Sequence, residues 1–332
     1  NEIIQKLKPI VAIMRMRHLL FLLTLITLTL TNIANAQRTC FSADYLEQQN
    51  LEDPERLKNL EEIERLTQEF IKNNPHDGAE ATVYTIPVVF HIVYNTAAQN
   101  ISDAQVQSQM TVLNEDFRRL NANANNNWSQ AADVEIEFCL ATVDPNGNAT
   151  NGITRTSTNV SVFNGDAVKY TAQGGKDAWP AGSYLNFWVC ALNGFLGYAQ
   201  FPGGNPATDG VVCDYRYTGT VGTATAPFNL GRTGTHEVGH WLNLYHIWGD
   251  GPCNQDDLVA DTPASDAENY GCPSGHTSCG TVDMIENYMD YTDDACMNLF
   301  TQGQKTRMRA LFAAGGARAS LLNSNGCNGG GG

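Results

Sequence analysis

The chain has 332 residues, of which 42% are hydrophobic and 17% are charged, and its formal net charge is −15 at pH 7. This length and apolar content predict one large globular domain or two modest ones. The acidic balance argues against nucleic acid and against an anionic membrane surface as partners, and it fits an exported protein that holds divalent cations.

Residues 1–36 have the pattern of an export signal. A short basic start precedes an apolar run at residues 19–30, and Ala34 and Ala36 form a small-x-small cleavage site. The pattern predicts an upstream extension followed by a signal peptide. The apolar run is too short to span a bilayer comfortably, and no later segment reaches about 18 apolar residues. We therefore expect a secreted protein whose mature form has no membrane span.

Residues 37–81 are polar and strongly charged, and they contain one predicted helix. Asp53 can cap this helix, Pro54 suits its first position, and a turn signal at Asn73–Gly78 ends it. Apolar residues recur along it at helical spacing, at Leu57, Leu60, Ile63, Leu66 and Phe70. A charged helix between a signal peptide and a globular domain indicates a propeptide. The alternative is a helical decoration of the mature domain.

The globular domain is predicted over residues 82–327. Residues 82–94 are rich in β-branched and aromatic residues and predict a buried strand, in which His91 is interpreted as a core histidine rather than a ligand. Ser102 and Gln105 form a capping box that opens a helix. Its predicted buried stripe consists of Val106, Met110, Leu113 and Phe117.

Three further strands complete the predicted upper half, which is mixed α/β. Two are expected at residues 134–143 and 183–192, and a short one at residues 197–204 ends at Pro202. Proline favours a sheet edge, so this last strand is expected at the edge of the sheet.

The strongest motif is THEVGHWLNLYHIWG at residues 235–249. His236 and His240 stand at i and i+4 on a helix, so both imidazoles project from one face, and Glu237 beside them can reach a metal-bound water. His246 does not fit the same face, and Asn243 is expected to end the helix in the left-handed conformation and return His246 as a third ligand. An ordinary amphipathic helix with chance histidines is the alternative.

This stretch resembles the zinc signature HExxHxxGxxH of the metzincin peptidases, with Asn243 in the usual glycine position. Among metzincins it is most similar to the pappalysin family. The resemblance makes the strand at residues 197–204 the edge strand above the cleft, to which an extended substrate adds by main-chain hydrogen bonds, and an ordinary edge strand without a substrate role is the alternative. The resemblance implies an α+β metzincin fold whose upper subdomain, residues 82–243, has a mixed, mostly parallel sheet and two long helices. It implies an irregular, disulfide-bonded lower subdomain, residues 244–327, with a C-terminal helix. Residues 328–332 are linker-like.

The run NYMDY at residues 287–291 matches the second half of that signature. A lone methionine is more often core filler, but the resemblance makes Met289 the methionine of the turn beneath the zinc site. It likewise makes Tyr291 the tyrosine whose hydroxyl steadies the oxyanion. Asp293 and Asp294 follow where the family lines the pocket for the residue after the cut, and a carboxylate there predicts a preference for Arg or Lys.

Nine cysteines in an exported chain indicate disulfides, and the odd number leaves at least one thiol over. Four of them allow three pairings within the lower half: Cys253, Cys272, Cys279 and Cys296. The resemblance favours Cys253–Cys279 and Cys272–Cys296 over a structural zinc on all four. The pairing of the remaining cysteines is left open. Cys40 is either a disulfide partner or, as the resemblance implies, a cysteine switch whose thiolate blocks the zinc.

An acidic loop follows the third histidine, with Asp256, Asp257, Asp261 and Asp266 close together. Carboxylates in such a cluster are the ligands calcium requires, and a merely solvated loop is the alternative. The resemblance implies a calcium site that includes Asp257 and the carbonyl of Thr262. After it, Thr301 and Gln304 form a second capping box, which opens a last helix expected to run to Phe312 and end at Gly315 and Gly316.

These features together predict a secreted zinc endopeptidase. Zinc on His236, His240 and His246 leaves a position for a water molecule, from which Glu237 takes a proton during attack on the peptide carbonyl. Two alternatives are a zinc hydrolase of a non-peptide amide and an inactive binding relic of the fold. The combination of zinc helix, methionine turn and tyrosine argues against the first, and the retained Glu237 argues against the second.

Overall fold

The computed structural model describes residues 37–74 and 82–327. The expected signal peptide, residues 75–81 of the expected propeptide and the tail at residues 328–332 lie outside the described residues. No helix in the described part of the chain is long and apolar enough to cross a membrane. The helices are α1 (Ser42–Glu52), α2 (Pro54–Asn73), α3 (Asp103–Phe117), α4 (Arg232–Trp241) and α5 (Gln302–Ala310).

One sheet forms the centre of the fold. Its strands are β1 (Tyr84–Tyr94), β2 (Ile136–Leu140), β3 (Ile153–Ser157), β4 (Leu185–Cys190), β5 (Gly197–Ala199) and β6 (Val211–Asp214). Strand β1 pairs along one side with β2 and then β3, and the order on its other side is β4, β6, β5. All of these pairings are parallel except the one between β5 and β6, which makes β5 an antiparallel edge strand. The expected mixed, mostly parallel sheet is confirmed.

Apolar residues on both faces explain why β1 lies at the centre of the sheet. Its residues from Ile86 to Val93 are all buried, as the continuous β-branched and aromatic run predicts for a strand covered on both sides. The predicted stripe of α3 packs against one face through Val106, Leu113 and Phe117. His91 is buried in β1, and both of its ring nitrogens have partners, on Thr154 and Asn186. It is a core residue.

The element boundaries differ from the sequence predictions in several places. The strand expected at residues 134–143 covers only Ile136–Leu140, and β3 and β6 were not predicted. Ser102 caps α3, but the Gln105 side chain binds the Tyr215 and Thr218 carbonyls, so the capping box is incomplete. The last helix ends at Ala310 and not at Phe312, although its capping box between Thr301 and Gln304 is present.

The N-terminal segment, residues 37–74, has two helices where the sequence predicted one. Helix α2 begins as predicted, with Asp53 accepting a hydrogen bond from the Glu55 backbone. The additional helix α1 packs beside β5, and only Ser42 and Tyr45 of its side chains are buried. Because α1 buries so little apolar surface, its stability depends on packing against β5. For the same reason its residues lack the apolar spacing that would have predicted a helix.

The lower part of the chain, after α4, has few regular elements besides α5. Two short strands, β7 (Thr277–Ser278) and β8 (Thr281–Val282), form a separate hairpin. Disulfides join Cys253 to Cys279 and Cys272 to Cys296 in this region, and a third joins Cys139 to Cys327. Three cysteines have free thiols in the described residues: Cys40, Cys190 and Cys213.

Candidate active site

Helix α4 carries the first two histidines of the candidate metal site. All ten of its residues are buried, and the Nε2 atoms of His236 and His240 lie 3.1 Å apart. The helix ends where the sequence predicted, because Asn243 adopts a positive φ of 72°. The Leu244 amide then donates to the Gly239 carbonyl at 3.0 Å, which reverses the chain.

This reversal brings His246 to the other two histidines. Its Nε2 lies 3.1 Å from Nε2 of His240, although six residues separate them. Each imidazole has an acceptor at Nδ1: the Tyr288 carbonyl for His236, the Leu244 carbonyl for His240 and the Asp250 carboxylate for His246. The Nδ1 protons are therefore fixed, and the three Nε2 lone pairs face one another.

A metal ion fits this arrangement. The His240 lone pair lies 3.1 Å from each of the other two Nε2 atoms, and these buried lone pairs repel one another unless a cation lies among them. Burial lowers the pKa of His236 and His240 well below the usual range. Protonation is therefore disfavoured as the way to relieve the repulsion. The ligand atoms of Cys40 and the three histidines all lie within 4.8 Å of one another, which makes four donors for one ion.

Glu237 lies beside these donors on α4. Its carboxylate is buried and accepts a hydrogen bond from the Ser42 hydroxyl at 2.8 Å, with the Cys40 sulfur 3.4 Å away. Burial raises the pKa of Glu237 to about 7, while the bonds from Ser42 and Cys40 oppose that rise. A carboxyl with such a pKa can both accept and release a proton near neutral pH.

The turn at Asn287–Tyr291 lies directly beneath α4. Met289 is fully buried, and its sulfur lies where a Cβ on Gly239 would be, so this close packing requires glycine at position 239. The turn also supplies the Tyr288 carbonyl that accepts from His236. The predicted methionine thus packs under the histidines, and the backbone beside it orients one of them.

Tyr291 also lies at the histidine site. Its ring lies 4.9 Å from the His246 ring and 4.9 Å from the Trp248 ring, measured between centroids. Its hydroxyl contacts the backbone of Cys40, accepting from the amide at 3.3 Å and donating to the carbonyl at 3.2 Å. Because burial raises its pKa strongly, Tyr291 keeps its proton and acts as a hydrogen-bond donor.

The N-terminal segment crosses the site along the edge strand. The Leu196 amide donates to the Thr39 carbonyl at 2.8 Å, and the Phe41 amide donates to the Gly197 carbonyl at 3.1 Å. Cys40 pairs in the parallel sense with Gly197, which directs its thiol at the histidines. A short extended stretch of this segment therefore adds to the sheet next to β5.

Arg38 fills a buried pocket on one side of the histidines. Its guanidinium forms an ion pair with Asp294, donates to the Thr292 carbonyl and the Thr233 hydroxyl, and lies 4.8 Å above the Phe228 ring. Both charged side chains are almost wholly buried. The two predicted specificity residues differ here, because Asp294 is buried and forms the ion pair with Arg38, whereas Asp293 is partly exposed and lies near enough only for the Arg38 charge to act on it.

The acidic loop is only partly available as a cation site. Asp257 is buried, burial raises its pKa to about 7, and it accepts from the Thr262 hydroxyl at 2.9 Å. Asp261 instead accepts from Thr301 and the Gly303 amide at the start of α5. Asp261 therefore caps a helix, and the expected cluster of four free carboxylates is not present.

Sequence reasoning missed three contributors to the site: Arg38, Ser42 and Asp250. Asp250 lies four residues after His246 and contacts its Nδ1. Its spacing from a candidate ligand histidine could have predicted this contact, because carboxylates commonly orient such histidines. Arg38 and Ser42 flank Cys40, but their partners Asp294 and Glu237 are distant in sequence. No local pattern predicts those contacts.

Comparison with known proteins agrees with this geometry. The model of peptidase family M43, described as pregnancy-associated plasma protein-A, matches residues 168–313. An extracellular metalloprotease of Arthroderma benhamiae is 35% identical over 69% of this chain and 78% of its own length. One from Pyricularia oryzae is 36% identical over 71% of this chain and 77% of its own.

Two solved structures from Tannerella forsythia are also similar. Mature mirolysin in complex with a cleaved peptide has 53% identity and a TM-score of 0.71, over 73% of this chain and 96% of that one. A promirolysin mutant has 47% identity and a TM-score of 0.78, over 86% of this chain and 97% of that one. The predicted metzincin fold and metallopeptidase activity are confirmed. The chain belongs to the pappalysins, the pregnancy-associated plasma protein-A family of metallopeptidases.

Proposed function

We propose that this protein is a secreted zinc endopeptidase that is made as a latent zymogen. The observation that carries the proposal is the convergence of the His236, His240 and His246 Nε2 atoms beside the buried carboxyl of Glu237. Three imidazoles with one further position are the donor set of catalytic zinc. The names of its extracellular relatives and the peptide-bound mirolysin structure support export and peptide hydrolysis.

Glu237 is the proposed general base and then the general acid. Zinc bound to the three histidines would lower the pKa of a water molecule towards neutrality and polarise the substrate carbonyl. Glu237 takes a proton from the attacking water and passes it to the leaving amine. The Tyr291 hydroxyl donates a hydrogen bond to the developing oxyanion.

Substrate is proposed to bind as an extended strand along β5. The bonds from Leu196 and Phe41 that join the N-terminal segment to this edge support the idea, because a substrate backbone can use the same groups of the edge strand. The pocket that holds Arg38 is proposed to take the residue after the cut. Its buried carboxylate on Asp294 then favours arginine or lysine at that position.

Residues 37–81 are proposed to be a propeptide that blocks the site. Cys40 would be the fourth ligand of the metal in the latent form, since its sulfur lies among the three histidines. Ser42 meanwhile bonds to Glu237 and Arg38 fills the Asp294 pocket. The longer match to promirolysin, 86% of this chain against 73% for the mature form, supports this assignment.

A structural calcium ion is proposed for the loop that contains Asp257 and Thr262. The support is the burial of the Asp257 carboxylate, which accepts hydrogen bonds from the Val259 amide and the Thr262 hydroxyl. A bound cation would favour the ionised carboxylate in that setting. Calcium that raises the thermal unfolding temperature of wild type but not of Asp257→Asn is the expected result, and equal shifts in both would contradict it.

The decisive experiment is proteolysis of casein by the processed enzyme. We expect activity that a zinc chelator abolishes and that added zinc restores. Glu237→Ala should keep one equivalent of zinc, measured by metal analysis, while it loses activity by a factor of about 10² to 10⁴. Full proteolysis by the purified Glu237→Ala protein would refute the assigned role, and chelator-resistant proteolysis by wild type would refute the zinc mechanism.

A further inference from the structure

A second buried pocket lies next to the edge strand and holds the side chain of Tyr45 from α1. The Tyr45 hydroxyl donates to the Asp166 carboxylate at 2.5 Å, and the Lys169 ammonium donates to the same hydroxyl at 3.2 Å. Its ring stands edge-on to the Tyr198 ring, with 5.0 Å between centroids. The pocket thus contacts the phenol at both its polar and its aromatic parts.

The groups that bind the Tyr45 hydroxyl and ring belong to the part of the chain after the N-terminal segment. The Lys169 side chain is fully buried, forms an ion pair with Asp166 at 2.9 Å and donates to the Thr208 carbonyl at 2.8 Å. Its ammonium lies 4.8 Å from the centre of the Tyr198 ring. These residues lie between positions 166 and 208, so they stay in the chain when the N-terminal segment is removed, whereas Tyr45 and its neighbours Phe41 and Gln49 leave.

In the order of the N-terminal segment, the residue at the histidines lies between the residues that enter the Asp294 pocket and the Tyr45 pocket. Along the N-terminal segment, Arg38 enters the Asp294 pocket, Cys40 lies at the histidines, and Tyr45 follows. The chain takes two extended steps and three helical steps from Cys40 to Tyr45, so the two residues are at most about 11 Å apart. An extended substrate covers that distance in about three residues.

We propose that this pocket is a substrate subsite for a tyrosine side chain about three residues before the cut. The inference rests on the proposed function, in which the Asp294 pocket takes the residue after the cut. A tyrosine hydroxyl there accepts from Lys169 and donates to Asp166, as the Tyr45 hydroxyl does. Phenylalanine fills the same space but makes neither bond and leaves a buried ion pair without its third partner.

The test uses the processed enzyme and quenched fluorescent peptides with arginine after the cut. Tyrosine, phenylalanine or alanine is placed at each of the four positions before the cut, one at a time. We expect tyrosine to exceed phenylalanine by about 10-fold in kcat/KM at a single position, the third, because a hydrogen bond to a charged group discriminates by about that factor. Mass spectrometry confirms that every peptide is cut at the same bond.

Two variants connect the preference to the pocket. Lys169→Met keeps the length of the side chain without its charge, and Asp166→Asn, at a partly exposed position, is the second variant in case the first does not fold. In both, the ratio of tyrosine to phenylalanine should fall towards 1. Lys176→Met removes a half-buried lysine seven residues further along the chain, outside the group of side chains that binds Tyr45, and it should keep the wild-type ratio.

The outcomes distinguish failure of the tyrosine subsite from failure of the proposed peptidase function. If the enzyme cuts none of the peptides, the proposed function fails. If it cuts them all but wild type does not distinguish tyrosine from phenylalanine at any of the four positions, the subsite fails alone. A preference that survives unchanged in folded Lys169→Met or Asp166→Asn would also overturn it.

Discussion

Replacing Arg38 by alanine should open the latent form while leaving the fold of the catalytic part intact. Arg38 and Asp294 form a buried ion pair, and breaking such a pair by removing one partner costs about 3–5 kcal/mol. The lower limit applies here, because Asp294 keeps hydrogen bonds from the Leu230 and Arg232 amides. About 3 kcal/mol corresponds to a roughly 150-fold increase in the population in which the N-terminal segment has left the cleft.

Alkylation of the Cys40 thiol measures that population without relying on activity. The zymogen is prepared in a Glu237→Gln background, which prevents self-cleavage, and iodoacetamide labelling is followed by peptide mapping to separate Cys40 from the buried Cys190 and Cys213. If opening and closing are fast, the labelling rate follows the open fraction, so Arg38→Ala should react about 100-fold faster or more. The matched control is Arg65→Ala, which removes an exposed arginine from α2.

A labelling rate for Arg38→Ala within about 3-fold of wild type would refute the reasoning, because it would mean that the buried pair contributes almost nothing to closure. The double variant with Asp294→Asn provides a further check. If the pair acts as a unit, the second substitution adds little to the first, and the coupling free energy is large.

Three other predictions concern stability. Gly239→Ala should lower the melting temperature and the zinc occupancy, because the new Cβ overlaps the Met289 sulfur and overpacking costs about 1–3 kcal/mol; unchanged values for both would contradict the packing. Asn243→Val should destabilise by about 1–2 kcal/mol in denaturant unfolding, because of its positive φ, whereas Asn243→Gly should be nearly neutral; equal effects would refute this. Burial opposes ionisation of Asp283, but hydrogen bonds from Ser278 and other donors outweigh it and lower its pKa. Its stabilising contribution is therefore present above the unfolded pKa of about 3.9 and is lost as pH falls through the lower folded value. Wild type should lose more stability than Asp283→Asn between pH 6 and pH 3, by calorimetry, and parallel curves would count against it.

The metal-binding stretch was readable in the sequence because its geometry is local. Two histidines four residues apart share a helix face whatever the rest of the chain does, and Asn243 favours the left-handed conformation that ends the helix. The same holds for β1, whose apolar run predicts a strand covered on both faces, and for the capping box at Thr301. Residues close in sequence supplied all of the information in these cases.

The roles of the predicted calcium-binding and specificity carboxylates depended on contacts between distant parts of the chain. Asp293 and Asp294 are indistinguishable in sequence, and only the packing around Phe228 and Thr233 makes one of them the floor of a pocket. Asp261 resembled a cation ligand, but the start of α5 recruits it as a cap. Short elements such as α1 and β6 likewise had no periodic signal of their own.

The sequence by itself determined the family and the candidates for the metal donors and the base, because spacing along one helix and one turn fixes which side chains can meet. Only the tertiary structure decided what fills the cleft: Arg38 against Asp294, Ser42 against Glu237, and Tyr45 between Asp166 and Lys169. Each of those pairs joins residues more than 100 positions apart, and such contacts arise when separate elements pack together. Local propensity carries no record of that packing.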